Sequence, residues 1–304
     1  MIDFINYYFN LYPLNINKYD NRYMFYIDNE KYYLVTYDRE IEELNSLVAL
    51  NKEMINNGSL VHEIIPNKFN KILTMYNDKN YILLKIFIND NKKVDIEDIM
   101  FMITKSSVIY NKNNNLNRLN WSKLWEDKVD YFEYQMVHII KKYPILYNII
   151  DYYIGLGENA IQYFKNIVPL YNGDEEIGVC HKRIDASSTL FDLYNPLNLI
   201  IDYKVRDLAE YIKSNFFNEN NIDNIIIKIF NKFYFDKLNL SLLVTRLLFP
   251  SYFFDMFENI VYNNVNENNL EKITKKSSMY EDFIGELIKK CNLQTIGWIQ
   301  IKLH

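Results

Sequence analysis

Glycine is scarce in this chain: seven residues in 304, with none before Gly58. A loop that cradles phosphates needs the close backbone approach that glycine permits. The first strands therefore carry no glycine-rich phosphate loop. There are two cysteines, Cys180 and Cys291. They are too few and too far apart for a disulfide framework, so they read as reduced thiols or as one bridge. There is no basic excess: 34 Lys and Arg face 39 Asp and Glu, for a formal net charge of −5. That argues against nucleic acid as a partner. No run of about 18 apolar residues occurs, so no membrane-spanning helix or membrane partner is expected. The start, MIDFINYYFNLYPLN, lacks the basic, apolar and small-residue order of a secretory signal, and a cytoplasmic protein is expected. His62 and His138 stand apart from any ligand-spaced partner, so no metal site is expected.

What is present is a globular composition, 49% apolar, enough for a full core. The 27 tyrosines come with abundant Asn, Ile and Lys, the residues an A/T-rich genome favours. Tyr23 to Ile27 and Tyr32 to Tyr37 flank Asp28–Glu30 and read as a hairpin. A helix over about 39–57 follows, with Ile41, Leu44, Leu47, Val48 and Met54 near helical spacing and Gly58 as its stop. Lys71 to Tyr76 and Tyr81 to Phe87 flank Asn77–Asn80 as a second hairpin. Helices are expected over 94–110, 121–142 and 147–165. The strands Ile177 to Cys180, Thr189 to Tyr194 and Leu197 to Asp202 come next, and helices with breaks near Asn220, Leu238, Pro250 and Ser277 complete the chain. The clusters at 111–117 and 263–269 read as surface loops. The division is a β-rich segment, 1–88, and a helical segment, 89–304, with a hairpin near 177–202.

The stretch GVCHKRIDASSTLFDLYNPLNLIIDYKVRDLAEYIK (178–213) carries the chemistry. A His-bearing loop, a hairpin, an Asp at a strand end and an Arg-Asp-Leu-Ala helix start resemble the protein-kinase-like fold, in its aminoglycoside and choline phosphotransferase branch. That implies an α+β fold with a small antiparallel β lobe and a larger helical lobe. On that pattern His181 keeps the His position, Arg183 stands where the catalytic Asp belongs and Ser188 where the metal-binding Asn belongs. Asp202 matches the metal-binding Asp, and Asp207 matches the Asp of the following Asp-Leu. An arginine stays protonated and cannot serve as a base. No lysine lies on the third strand, so Glu43, placed where a helix glutamate would pair with it, reads as solvated.

The runs LNWSKLWEDKVDYFEYQ (119–135) and YYIGLGENAIQYF (152–164) resemble the spore-coat YutH and CotS group, degenerate relatives of those phosphotransferases. The resemblance implies a non-catalytic, pseudokinase-like coat or coat-associated protein. It would contact other coat proteins, use no cofactor, and sit in the spore coat if the organism sporulates. The alternative is an active kinase passing phosphate from ATP and Mg²⁺ to a hydroxyl of a sugar, choline or antibiotic-like substrate. Under the first reading His181, Arg183, Asp202 and Arg206 form a polar cluster, with Arg183 pairing to Asp202 or Asp207. Trp121 and Trp125, four residues apart, read as core. Gly155 and Gly157 read as helix-packing positions, Glu158 as a partner of the neighbouring hairpin, and Cys180 as a buried structural thiol.

Overall fold

The computed structural model describes all residues except 20, 21, 88–90, 106–114, 140, 141, 296 and 298–304. The ends of two expected helices, 106–110 and 140–142, and most of the 111–117 loop therefore lie partly or wholly outside the described residues. The chain forms two compact units, Met1–Asn117 with His181–Ile201, and Arg118–Cys180 with Asp202–His304. The expected boundary at residue 88 lies outside the described residues.

In chain order the elements begin α1 (Ile2–Phe9), β1 (Ile16–Tyr19), β2 (Arg22–Ile27), β3 (Glu30–Thr36), α2 (Ile41–Asn56), β4 (Glu63–Ile65), β5 (Thr74–Tyr76), β6 (Lys79–Ile86) and α3 (Ile96–Lys105). They continue α4 (Trp121–Ile139), α5 (Pro144–Asn166), β7 (Ile177–His181), α6 (Leu190–Leu193), β8 (Leu199–Tyr203), α7 (Val205–Phe217), α8 (Ile222–Lys232), α9 (Lys237–Leu248), α10 (Ser251–Asn263) and α11 (Leu270–Lys290).

The first unit is an antiparallel sheet in the order β1-β2-β3-β6-β4, with β5 also on β6. Its two tight turns are shorter than the sequence suggests, because each is a two-residue hairpin. Asp28 and Asn29 have φ of 46° and 67°, and Asn77 and Asp78 have φ of 48° and 58°. Asn and Asp tolerate that left-handed region, and it matches the twist of the flanking strands. Helix α1 adds an element to those expected. Its Phe4, Ile5 and Phe9 pack on Phe25, Tyr32, Leu34, Tyr81 and Leu83, alternate residues that share one sheet face. Buried Asn51 of α2 ties the helix to the β4 edge, donating to the His62 carbonyl (2.7 Å) and accepting from the Ile64 amide (3.1 Å).

The Thr189–Tyr194 run is not the expected strand. Thr189 caps α6 and Asp192 returns a bond to the Thr189 amide (2.8 Å), a complete capping box. That reciprocal bonding outweighs the β preference of the aromatic residues. Strands β7 and β8 form a two-stranded sheet.

The second unit is helical. Trp121 and Trp125 are core residues: their rings lie 5.2 Å apart, and Trp125 stacks on Phe249 at 4.4 Å. At Gly157 a Cβ would meet Val129 Cγ2 at 3.1 Å, so this glycine does set how closely α5 packs. Gly155 has nothing within 4 Å and faces open space, against the packing role expected for it. The expected break at Ser277 lies inside α11. Its hydroxyl bonds back to the Ile273 carbonyl (3.0 Å) and to Tyr153 (2.7 Å), so the residue satisfies itself without ending the helix. By length and composition the stretch Lys237–Asn263 could cross a bilayer, although no single helix was expected to; its most apolar 18-residue window is 78% buried within the protein, as core helices are.

Candidate functional site

Asp202, at the end of β8, is fully buried. One carboxylate oxygen accepts from Trp121 Nε1 (2.9 Å) and from the Tyr203 amide (2.8 Å). The other accepts from Arg206 Nη1 (2.7 Å), one turn along on α7. Burial raises the Asp202 pKa, and the Arg206 and Arg246 guanidiniums oppose that rise without cancelling it. Arg183 was the expected partner of an acid here; toward Asp202 that role belongs to Arg206. Cys180 is a fully buried free thiol directed at the Tyr203 carbonyl (3.4 Å), and burial pushes its pKa up. Cys291 is also free, which settles the bridge question. Asp207 is buried in the first turn of α7, where an acid complements the helix end.

The polar row continues along α7 at one-turn spacing. Buried Lys213 donates to Glu210 (2.9 Å), the Arg246 and Phe249 carbonyls (3.0 and 3.1 Å) and Ser251 Oγ (2.7 Å). Arg246 Nε also reaches Glu210 (2.6 Å), and its guanidinium lies 5.3 Å from the Trp121 ring centre. Burial alone would raise Glu210, but Lys213 and Arg246 outweigh it and hold the carboxyl well below the usual range. Burial pushes the Lys213 ammonium down to about 8. The sequence reading missed Glu210, Lys213 and Arg246. The available signal was the charge spacing Arg206, Glu210, Lys213 on one face of α7, in step with Asp202 at the end of β8.

In the first unit, a cleft of about 590 Å³ is lined by Arg22, Arg39, Lys182, Arg183, Asp185 and Ser188, among others. Glu43, expected to be solvated, is buried and paired with Arg39 Nε at 2.5 Å. The pairing cation comes from the loop before α2 and not from a strand; the expected run Tyr32–Tyr37 has no lysine, and Lys31, expected at the turn, lies in β3. Arg39 Nη1 also donates to the Leu197 and Leu199 carbonyls (2.9 and 2.8 Å). The Arg22 guanidinium sits 4.2 Å from the Phe191 ring centre.

His181 is buried, its Nε2 2.7 Å from the Leu193 carbonyl oxygen. The Arg183 amide donates to Asn198 Oδ1 (3.1 Å), and Asn198 Nδ2 donates to the Arg183 carbonyl (2.7 Å), which fixes the loop that presents the exposed Arg183. Asn198 is a further residue that the sequence did not single out. Ser188 Oγ bonds with Asp185, whose Oδ1 accepts from the Ser187 and Ser188 amides (2.7 and 2.9 Å). Asp185 thus closes a turn.

The Asp202 carboxylate has both oxygens engaged, and in the first unit the Ser188 hydroxyl is tied to Asp185. No cluster of three or more His, Cys, Asp or Glu able to hold a metal occurs among the described residues. Glu158, expected to bond to the hairpin, instead lines a groove between α4 and α5.

These elements form a protein-kinase-like fold, with a small antiparallel sheet and a larger helical part. An aminoglycoside phosphotransferase from Alicyclobacillus acidocaldarius superposes with a TM-score of 0.66 over 93% of this chain and 94% of its own, at 10% identity. A spectinomycin phosphotransferase solved with ADP and spectinomycin gives 0.58 over 91% and 93%, at 12% identity. A microcompartment-associated aminopropanol kinase gives 0.57 over 95% and 97%, at 8%. At these identities the likeness is one of fold alone.

Residues 2–287 match the family described as "Spore coat putative kinase YutH", and the chain belongs to that family. The endospore coat-associated protein YutH of Bacillus subtilis (strain 168) is 26% identical over 196 residues. That match spans 57% of this chain and 57% of the relative, less than two thirds of its length.

Proposed function

We propose that this chain is a non-catalytic member of its family, a coat-associated protein that acts by binding other coat proteins and uses neither ATP nor Mg²⁺. The observation that carries the reading is the state of Asp202. The acid that matches the pattern's metal-binding Asp is fully buried and bonded through both oxygens to Arg206, Trp121 and its neighbour's amide. A carboxylate so held is structural, because a metal would have to displace an arginine from a dry site. Arg183 at the base position supports the same reading, since a permanent cation neither accepts nor orients a hydroxyl proton. The coat location follows the relative named above, and spore fractionation with an antibody to the protein would test it.

The kinase alternative is tested by coupled ADP release from ATP with Mg²⁺ in the presence of aminoglycoside, amino-alcohol and sugar acceptors. The reading expects the buffer rate with every acceptor. Acceptor-stimulated ADP release would overturn it.

A further inference from the structure

The groove between α4 and α5 belongs to neither cluster above. We infer that it docks a basic amphipathic helix of a partner protein, an inference that rests on the reading of this chain as a binding protein. Its floor is apolar, from Met136 and Val137 of α4 and Tyr147 and Ile154 of α5. Gly155 also lines it, and nothing stands within 4 Å of where its Cβ would be. A missing side chain therefore keeps about 520 Å³ open. Val137 is 76% exposed and Tyr147 58% exposed, apolar surface whose burial is favourable.

The groove's charge is of one sign. Glu133, Asp151 and Glu158 rim it, and no lysine or arginine lines it among the described residues. Among the described residues none of the three carboxylates makes a side-chain hydrogen bond or ion pair there, in contrast to Asp202 and Glu210.

Shape and charge together select the occupant. Tyr147, Asp151, Ile154, Gly155 and Glu158 form one stripe of α5, and at ~1.5 Å per residue it runs roughly 16 Å, about three helical turns. A helix of that length with apolar anchors at i, i+3 or i+4, and i+7 covers the floor, while flanking Lys or Arg stems lie along it and reach the rim. A small ammonium ion would meet the acids and leave the floor wet. An extended strand would find no open edge to pair with, because both walls are helices.

The probe is a labelled helical peptide of about 14 residues with leucines at that spacing and lysines between them. Binding is read by fluorescence anisotropy with the full chain. The expected result is binding that weakens as salt rises from about 0.05 to about 0.5 M and falls about tenfold or more, roughly 1.4 kcal/mol, in Gly155→Leu. That variant fills the groove where no neighbour is crowded, and its melting temperature checks that it folds. The Asp151→Lys/Glu158→Lys variant should lose binding as well and gain affinity for the same peptide with glutamates for lysines. Equal binding of a scrambled peptide, or unchanged binding by Gly155→Leu, would overturn the inference. So would sedimentation showing that a second copy of the chain covers the groove. ADP release does not involve this groove, so either reading can fail without the other.

Discussion

Replacing Arg206 by alanine isolates the claim that Asp202 is a structural ion. The arginine side chain is 12% exposed and Asp202 is fully buried, with 2.7 Å between Nη1 and Oδ2. Removing one partner of such a pair strands a charge, which costs about 3–5 kcal/mol. At roughly 2–4 °C per kcal/mol for a unit of about 150–250 residues, Tm should fall by about 6–20 °C. The pH dependence has a defined sign. The folded-state pKa of Asp202 is already raised above 3.8 by burial, and loss of Arg206 raises it further. An acid with a raised folded pKa stabilises fully below its unfolded value, and that contribution is lost as pH climbs through the folded value. Arg206→Ala should therefore be weaker at pH 7 than at pH 5, measured against Arg206→Ala/Asp202→Asn, which has no charge to strand. Urea midpoints at both pH values give the result. A single variant within about 0.5 kcal/mol of wild type at pH 7 would refute the reasoning.

Three further outcomes follow from the geometry. Arg39→Ala removes a donor from buried Glu43 and from two carbonyls and should cost about 3–5 kcal/mol by urea unfolding, whereas an exposed Glu43 would predict almost nothing. The two glycines of α5 should respond with opposite signs: Gly157→Leu, against Val129, loses about 1–3 kcal/mol, and Gly155→Ala gains about 0.5–1 kcal/mol. Burial has pushed Lys213 down to about 8 from 10.5. A depressed folded pKa means its contribution is full above the unfolded value and lost as pH falls through the folded one. Wild type should gain on Lys213→Met as pH rises from about 8 toward 10.5, and parallel stability curves would contradict the burial of its charge.

The order of strands and helices was legible where residue chemistry acts locally. The aromatic and β-branched runs Tyr23–Ile27 and Tyr32–Tyr37 gave one hairpin, and Asn-Asp pairs marked its turn and the next. The chemistry failed where a partner distant in sequence decides. Helix α1 exists because its aromatics find Phe25, Tyr32 and Tyr81, residues that no local period reveals. Thr189–Tyr194 reads as strand by composition and becomes helix by its capping box. In the candidate site, Arg183, Ser188 and Asp202 were located by motif, but motif spacing is silent about burial. The Arg206–Asp202 pair could be anticipated from helix spacing; Trp121, 81 residues away, could not. Glu43 was misjudged because its cation arrives from a loop and not from β3.

The measurement that bears most directly on this chain's role is the melting temperature of the purified wild-type protein with ATP, with and without Mg²⁺. A non-catalytic fold with its metal-binding carboxylate sealed by Arg206 predicts no shift that depends on Mg²⁺. A rise with ATP that appears only when Mg²⁺ is added, and disappears with EDTA, would contradict it.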